Sequence, residues 1–102
     1  MQQKQSRFVQ LIGKLIAFAY SQGYEFTFGD AARIDKEGHK KDSFHYIRLA
    51  VDLNLFINGR WQKIDCPQWQ TLGNYWKNLD NECTWGGDFK EVDLNHFSYG
   101  ER

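Results

Sequence analysis

The chain of 102 residues is poor in both cysteine and proline. Its two cysteines, Cys66 and Cys83, do not form a CxxC pair, and its single proline is Pro67. Two isolated cysteines are too few to build a disulfide framework, and proteins of reducing compartments rarely retain disulfides. We therefore expect two ordinary thiols in a protein made in the cytoplasm.

The chain also lacks an excess of either charge. Thirteen basic residues balance thirteen acidic ones, and no basic run is longer than His39-Lys40-Lys41. Nucleic-acid binders commonly carry a basic patch that neutralises phosphates. We therefore expect no nucleic-acid partner.

Long hydrophobic runs are absent too. The apolar stretch near the N-terminus is bordered by Gln2, Gln3, Gln5 and Gln10 and interrupted by Gly13-Lys14, and no small-residue cleavage site follows it. A membrane span needs about 20 apolar residues, and a secretory leader needs a cleavage site. We predict neither a signal peptide nor membrane insertion.

The length is sufficient for one domain with a modest core, over residues 1–102. There are no repeats, low-complexity tracts or linkers. Any function must therefore be carried by this single fold, and we expect it to act as a monomer.

The first quarter of the chain predicts a helix followed by a strand. Apolar residues recur at three- and four-residue spacing after Ser6, a predicted N-cap, up to Gly23. Tyr24, Phe26 and Phe28 then alternate with polar residues, which indicates a half-buried strand that ends at Gly29. The polar segment 30–44 has no clear period and is interpreted as a loop.

The clearest element is the strand in LAVDLNLFINGRWQKI. Alternation places its leucines on one face and Ala50, Asp52, Asn54 and Phe56 on the other. Asn58-Gly59 is typical of a tight hairpin turn, with RWQKI as the returning strand. Later come a helix from Pro67 to near Asn81, a Gly86-Gly87 turn and a short strand from His96 to Tyr99. These elements predict an α+β fold with a small antiparallel sheet flanked by helices.

Two histidines each have a carboxylate at short range. His45 precedes Asp52 on the strand, and Asp93 lies three residues before His96. A catalytic zinc ion takes three protein ligands and keeps one open position, and two histidines with one carboxylate satisfy that requirement. The remaining carboxylate, Asp93 or Asp52, is then available as the base that accepts a proton from water. On pattern alone, the face of Asp52 lines a cleft or is simply exposed to solvent.

The two pairs carry a resemblance to the M15 family of zinc peptidases, which includes D-Ala-D-Ala carboxypeptidases and bacteriophage L-alanyl-D-glutamate endopeptidases. The family signature reads S-x-H-x-x-G-x-A-x-D, followed by a carboxylate-x-x-H motif. Its first part is matched in register by Ser43, His45, Ala50 and Asp52, and its second by Asp93 and His96. Arg48 occupies the glycine position, as in a phage and prophage subgroup. The LGNYW and WGGDF segments also resemble that subgroup, so the likeness runs from about Glu25 to Phe97.

The resemblance implies specific roles for these residues. His45, Asp52 and His96 would bind Zn²⁺, Asp93 would be the catalytic base, and Arg33 would bind or polarise the substrate. The fork of donors on Arg33 suits a carboxylate or an oxyanion, although an arginine at this position also fits an exposed salt bridge. Trp85 is interpreted as packing beneath the sheet rather than as a wall of the cleft. The implied fold is a single Hedgehog/DD-peptidase-like domain without a separate cell-wall-binding domain.

The implied function is hydrolysis of an amide in the peptide stem of bacterial peptidoglycan by a phage or prophage lysis enzyme. Such an enzyme accumulates in the host cytoplasm without a signal peptide and acts on the wall after release. Two alternatives stay open at this point. One is a carboxypeptidase that removes terminal D-Ala, and the other is a non-catalytic module with structural zinc or with wall-binding activity only.

Overall fold

Two α-helices and five strands lie within residues 1–29 and 49–100, the part of the chain that this computed structural model describes. Helix α1 spans Gln2–Ser21 and helix α2 spans Pro67–Leu79. The strands are β1 (Tyr24–Phe28), β2 (Ala50–Ile57), β3 (Arg60–Trp61), β4 (Cys83–Trp85) and β5 (His96–Tyr99). A short 3₁₀ helix, Gly86–Asp88, follows β4. The α+β class predicted from the sequence is confirmed.

The strands form one antiparallel sheet in the order β1-β2-β5-β4, with β3 also paired to β2. Strand β2 is central. One of its edges pairs with β1 over residues 53–57. Its other edge pairs with β5 over residues 50–52 and with β3 over residues 56–57, so it changes partner between these two segments.

The turn between β2 and β3 has the predicted geometry. Asn58 and Gly59 have φ values of 54° and 79°. Two consecutive positive values are what a two-residue hairpin turn requires, and asparagine and glycine tolerate them best. The hairpin is therefore confirmed, although β3 ends at Trp61 rather than continuing through RWQKI.

Both helices pack on one face of the sheet. The core contains Leu53 and Leu55 of β2, Trp85 of β4 and Phe97 of β5, all at most 1% exposed. From the helices it receives Phe8, Leu11, Leu15, Ala19, Trp69, Leu72 and Trp76. The indole of Trp76 joins the layers, since its ring lies edge-on to Phe97 at 5.9 Å and its Nε1 donates to the Thr84 carbonyl at 3.0 Å. The opposite face of the sheet is left for polar side chains.

Two further local expectations are corrected, and one strand was not expected. Helix α1 begins at Gln2 rather than after Ser6, because Gln and Lys are good helix formers and extend the first turn, where the Gln5 amide donates to the Met1 carbonyl at 3.0 Å. Phe28 is 69% exposed, so only Tyr24 and Phe26 of that strand are partly buried against the core. Strand β4 was not predicted from the sequence.

Two further expectations can be compared with the structure. Both cysteines are free thiols. Among the described residues, no helix combines the length and the apolar character needed to cross a membrane.

Candidate metal centre

Asp52 and His96 face each other across strands β2 and β5. The Leu53 amide donates to the Asn95 carbonyl at 2.8 Å, and the Tyr99 amide donates to the Leu49 carbonyl at 3.0 Å. Hydrogen-bonded and non-hydrogen-bonded pairs alternate along an antiparallel ladder. Asp52 and His96 therefore form a non-hydrogen-bonded pair, the kind in which opposing side chains approach most closely. The imidazole Nδ1 accordingly lies 3.8 Å from Oδ1 of Asp52.

Asp93 joins this pair through a turn that precedes β5. The His96 amide donates to the Asp93 carbonyl at 3.1 Å, and the Asp93 amide donates to the Gly86 carbonyl at 2.9 Å. These bonds fix the backbone of Asp93 beside His96. Asp52, Asp93 and His96 each offer one ligand atom, and these three atoms lie within 4.8 Å of one another.

The three side chains differ in burial. His96 is buried at 6% exposure, Asp52 is partly buried, and Asp93 is exposed. Metal ligands benefit from a rigid, water-poor setting, whereas a group that exchanges protons with water must be accessible to it. The gradient of burial therefore fits the predicted division between ligands (Asp52, His96) and base (Asp93).

The donor set suits a divalent cation. Tetrahedral zinc with bonds of about 2.1 Å separates its ligand atoms by about 3.4 Å, close to the 3.8 Å between His96 and Asp52. Two carboxylates this close together repel each other, and a cation between them removes that repulsion. Imidazole and carboxylate are also ligands that zinc accepts. The described residues therefore fit a metal centre with modest side-chain adjustment.

Gly86 allows the backbone of the turn to approach the site. A Cβ atom at this position would lie 2.2 Å from the Asp93 carbonyl oxygen and 2.8 Å from Cβ of His96. No side chain fits there without displacing the turn. Phe89, at the end of the same WGGDF segment, packs its ring against the His96 imidazole at 5.2 Å. The segment thus positions both the predicted base and a predicted ligand.

Trp85 supports the site from the core side. It is 1% exposed, and its Nε1 donates to the Leu94 carbonyl at 2.7 Å. A Cβ atom on Gly73 of α2 or on Gly87 would come within 2.3 Å of the indole ring. The interpretation of Trp85 as a packing residue is confirmed, and one glycine in each of the LGNYW and WGGDF segments leaves room for its indole ring.

Neighbouring polar groups extend the site along the same face of the sheet. The Asn95 Nδ2 donates to Oδ1 of Asn54 at 2.8 Å, and the Gly29 amide donates to the Asp52 carbonyl at 2.8 Å. A Cβ atom on Gly29 would lie 2.9 Å from Cβ of Asp52. Asn95 was not singled out by sequence reasoning, although it stands directly before His96 and Asn54 shares the predicted face of Asp52.

The described part of the site thus holds two of the three predicted metal ligands, Asp52 and His96, together with the predicted base, Asp93. The third predicted ligand, His45, lies outside the described residues. So do Arg33, the predicted substrate-binding residue, and Arg48 at the signature glycine position.

Comparison with known families adds an independent observation. A family model described as D-alanyl-D-alanine carboxypeptidase matches residues 37–99, more than half of the chain. None of the curated protein sequences matches the chain significantly. The matched range contains His45, Asp52, Asp93 and His96 but not Arg33. It begins at residue 37 rather than near Glu25, so the first helix and β1 lie outside it.

Proposed function

This chain belongs to the M15 peptidase family, and from that premise we propose that it is a zinc-dependent peptidase that hydrolyses an amide bond in the peptide stem of bacterial peptidoglycan. The observation that carries the proposal is the convergence of Asp52, Asp93 and His96, whose ligand atoms lie within 4.8 Å of one another. We further propose an L-alanyl-D-glutamate endopeptidase-like activity in phage or prophage lysis. The enzyme would act as a monomer on the wall after release from the host cytoplasm.

The ligands of the proposed zinc ion are His45, Asp52 and His96. When bound, the ion would supply a Lewis acid that polarises a carbonyl and makes water easier to deprotonate. Asp52 and His96 are held for this role by the β2–β5 ladder. A ligand on a sheet moves little, so the site is organised before substrate binds.

Asp93 is the proposed general base. Its carboxylate is exposed, yet its backbone is fixed by the hydrogen bonds to Gly86 and His96. In this position it can accept a proton from the attacking water and later deliver it to the leaving amine. Arg33 is proposed to bind the substrate's carboxylate or developing oxyanion through its guanidinium group.

A carboxypeptidase that releases terminal D-Ala is the second candidate, because the matching family model is described by that activity. The two activities differ in the bond that is cut. An endopeptidase cleaves inside the stem, whereas a carboxypeptidase needs a free terminal carboxylate next to the scissile bond.

Digestion of purified peptidoglycan, followed by mass spectrometry of the new termini, tests the proposal. New N-terminal D-glutamyl ends support the endopeptidase, and free D-Ala without internal cleavage contradicts it in favour of the carboxypeptidase. A protein that binds the wall and releases no new terminus, with zinc present, contradicts both and leaves a non-catalytic module.

A further inference from the structure

We propose that the groove beside Asp93 binds an extended segment of the substrate peptide, and that the Lys63 ammonium group receives a carboxylate of that segment. The inference rests on the proposed function, since it assigns a second contact region to the same stem peptide. It concerns the hairpin formed by β2 and β3 and the loop before β5, which lie beside the metal centre.

The groove exists because β2 changes partner along one edge. Its residues 50–52 pair with β5, and its residues 56–57 pair with β3. A cavity of about 440 Å³ lies at this change of partner, lined by Asn54, Trp61, Lys63, Val92, Asp93 and Asn95 among others. The proposed catalytic base, Asp93, therefore lies near one end of the cavity, and the β2–β3 hairpin lies near the other.

The change of partner along β2 sets the length of the groove. Asp52, the last β2 residue paired with β5, and Phe56, the first paired with β3, are four residues apart, which is about 13 Å along a strand. An extended peptide covers this distance with about four residues, at roughly 3.3–3.6 Å each. The groove thus has room for several residues of a stem peptide beyond the bond next to Asp93.

The middle of the groove is suited to a peptide backbone. Asn54 and Asn95 form one hydrogen bond, from Nδ2 of Asn95 to Oδ1 of Asn54, at 2.8 Å. A primary amide has two N–H donors and a carbonyl acceptor. This leaves the Asn95 amide with a donor and an acceptor that can pair with the amides of a bound peptide.

The far end of the groove combines an aromatic surface with a positive charge. Trp61 is 50% exposed and stacks on Phe56 at 6.2 Å, and the Lys63 Nζ lies 4.6 Å from the Trp61 ring centroid. Across residues 1–29 and 49–100, Lys63 takes part in none of the salt bridges. Its ammonium is therefore available to a carboxylate of the substrate.

The backbone next to Lys63 is tied to the rest of the fold. The preceding residue, Gln62, donates its amide to the Leu55 carbonyl at 2.8 Å and accepts from Nε1 of Trp69 at 2.9 Å. These bonds tie the end of the hairpin to β2 and to helix α2. The Lys63 ammonium near one end of the groove and the Asp93 carboxylate near the other make the two ends opposite in charge, so an acidic peptide binds with its carboxylate away from Asp93.

A sugar of the glycan strand is a less suitable occupant of the Trp61 surface. Sugars stack on free aromatic faces, but the Lys63 ammonium already covers one face of this indole at 4.6 Å. A carboxylate would approach the ammonium without displacing it. The chemistry therefore favours an acidic peptide, and glycan binding becomes an outcome that the experiment can detect.

The first experiment compares Lys63→Gln with Lys14→Gln on the pentapeptide L-Ala-D-Glu-L-Lys-D-Ala-D-Ala. Lys14 is an exposed lysine on α1, the helix that packs on the opposite face of the sheet, and serves as the matched control. Loss of an exposed ion pair should raise KM about two- to fivefold for Lys63→Gln with kcat unchanged. Lys14→Gln should have no effect.

Two amidated substrates identify the carboxylate that is bound. One carries a C-terminal amide, and the other carries D-Gln in place of D-Glu. In one of these peptides, the amide replaces the carboxylate that Lys63 binds. On that peptide, the wild type and Lys63→Gln should have the same KM. The proposal would be overturned if Lys63→Gln had the wild-type KM on the acidic pentapeptide. It would also be overturned if Lys63→Gln still had a higher KM than the wild type on each of the two amidated peptides.

A binding experiment separates this inference from the proposed function. Of the four tryptophans, Trp61 is 50% exposed, whereas Trp69, Trp76 and Trp85 are at most 1% exposed. The pentapeptide should quench Trp61 fluorescence in the Asp93→Asn variant, and the quenching should be lost in a Trp61→Phe/Asp93→Asn double variant and weakened by Lys63→Gln. Saturable quenching supports the groove even if no bond is hydrolysed. Quenching by a peptide-free glycan strand, and not by the pentapeptide, would contradict it.

Discussion

The Asp52 carboxylate and the His96 imidazole form a cross-strand pair, with Oδ1 and Nδ1 3.8 Å apart, although 43 residues separate them in the chain. The pair depends on the register between β2 and β5. A shift of one residue would turn every side chain of β2 to the other face and place Asp52 in the core. The register is maintained by the alternation of apolar side chains, since Leu53 and Phe97 must both stay buried.

Replacing Asp93 by Asn should abolish most of the hydrolysis without unfolding the protein. The substitution keeps the size and the backbone of the turn but removes the proton acceptor, and a positioned base contributes about 10²- to 10⁴-fold to the rate. The measurement is kcat on a stem peptide, together with the thermal unfolding midpoint. Glu91→Gln, an exposed carboxylate two residues earlier in the same loop, is the control and should leave kcat unchanged. Full activity in Asp93→Asn would contradict its assignment as the base.

A glycine-to-alanine substitution should have opposite effects on the stability of the fold in the two helices. At Gly13 of α1 an added Cβ meets nothing within 4 Å, so alanine should stabilise the fold by about 0.5–1 kcal/mol. At Gly73 of α2 the Cβ would lie 2.2 Å from the Trp85 ring. Alanine there should destabilise by about 1–3 kcal/mol, because the indole has no room to move. Urea unfolding of both variants measures the difference, and a stabilising Gly73→Ala would show that Trp85 is not confined as described.

Stability should also fall in acid through Asp80, which follows helix α2. Its carboxylate accepts the Glu82 amide at 2.9 Å and pairs with Arg7 of α1 at 3.2 Å. The Glu82 hydrogen bond is the main cause that lowers the pKa of Asp80 below its usual 3.8, with a smaller contribution from Arg7. Because the pKa of Asp80 is lower in the folded state, its contribution is present above pH 3.8 and is lost as the pH falls through the folded value.

The variant Asp80→Asn isolates this contribution. It should be less stable than the wild type at neutral pH, and the difference between the two unfolding free energies should shrink as the pH falls below 3.8. Chemical denaturation at a series of pH values provides the measurement. A difference that stays constant down to about pH 2 would show that the Asp80 carboxylate gains nothing from its folded surroundings.

Local patterns were sufficient to predict much of the sheet. The period of two in LAVDLNLF put Asp52 on the face opposite the leucines, and Asn58-Gly59 marked the hairpin, because both signals depend on a few neighbouring residues. A short strand around His96 to Tyr99 was also predicted, and β5 spans these residues. Strand β4 was missed since three residues, Cys83–Trp85, are too few to show a period.

The contacts that complete the site could not be predicted in the same way. That Asp52 lies opposite His96, and that β2 changes partner to open a groove at Trp61, depends on strand pairing between distant segments. The roles of the glycines could not be predicted from the sequence either. Gly73, Gly86 and Gly87 look alike in the sequence, but two of them make room for Trp85 and one lets the Asp93 turn approach His96. The resemblance to the family signature joined the distant motifs where periodicity could not.

The proposed metal centre is tested by the zinc content of the purified protein, measured by elemental mass spectrometry for the wild type, His45→Ala, Asp52→Ala and His96→Ala. We expect about one zinc per chain in the wild type and a loss of zinc in each variant. We also expect a chelator to lower the unfolding temperature of the wild type and not that of the variants, since a metal bound only to the folded state stabilises it. Retention of about one zinc per chain in His96→Ala would contradict this metal site and place the metal elsewhere.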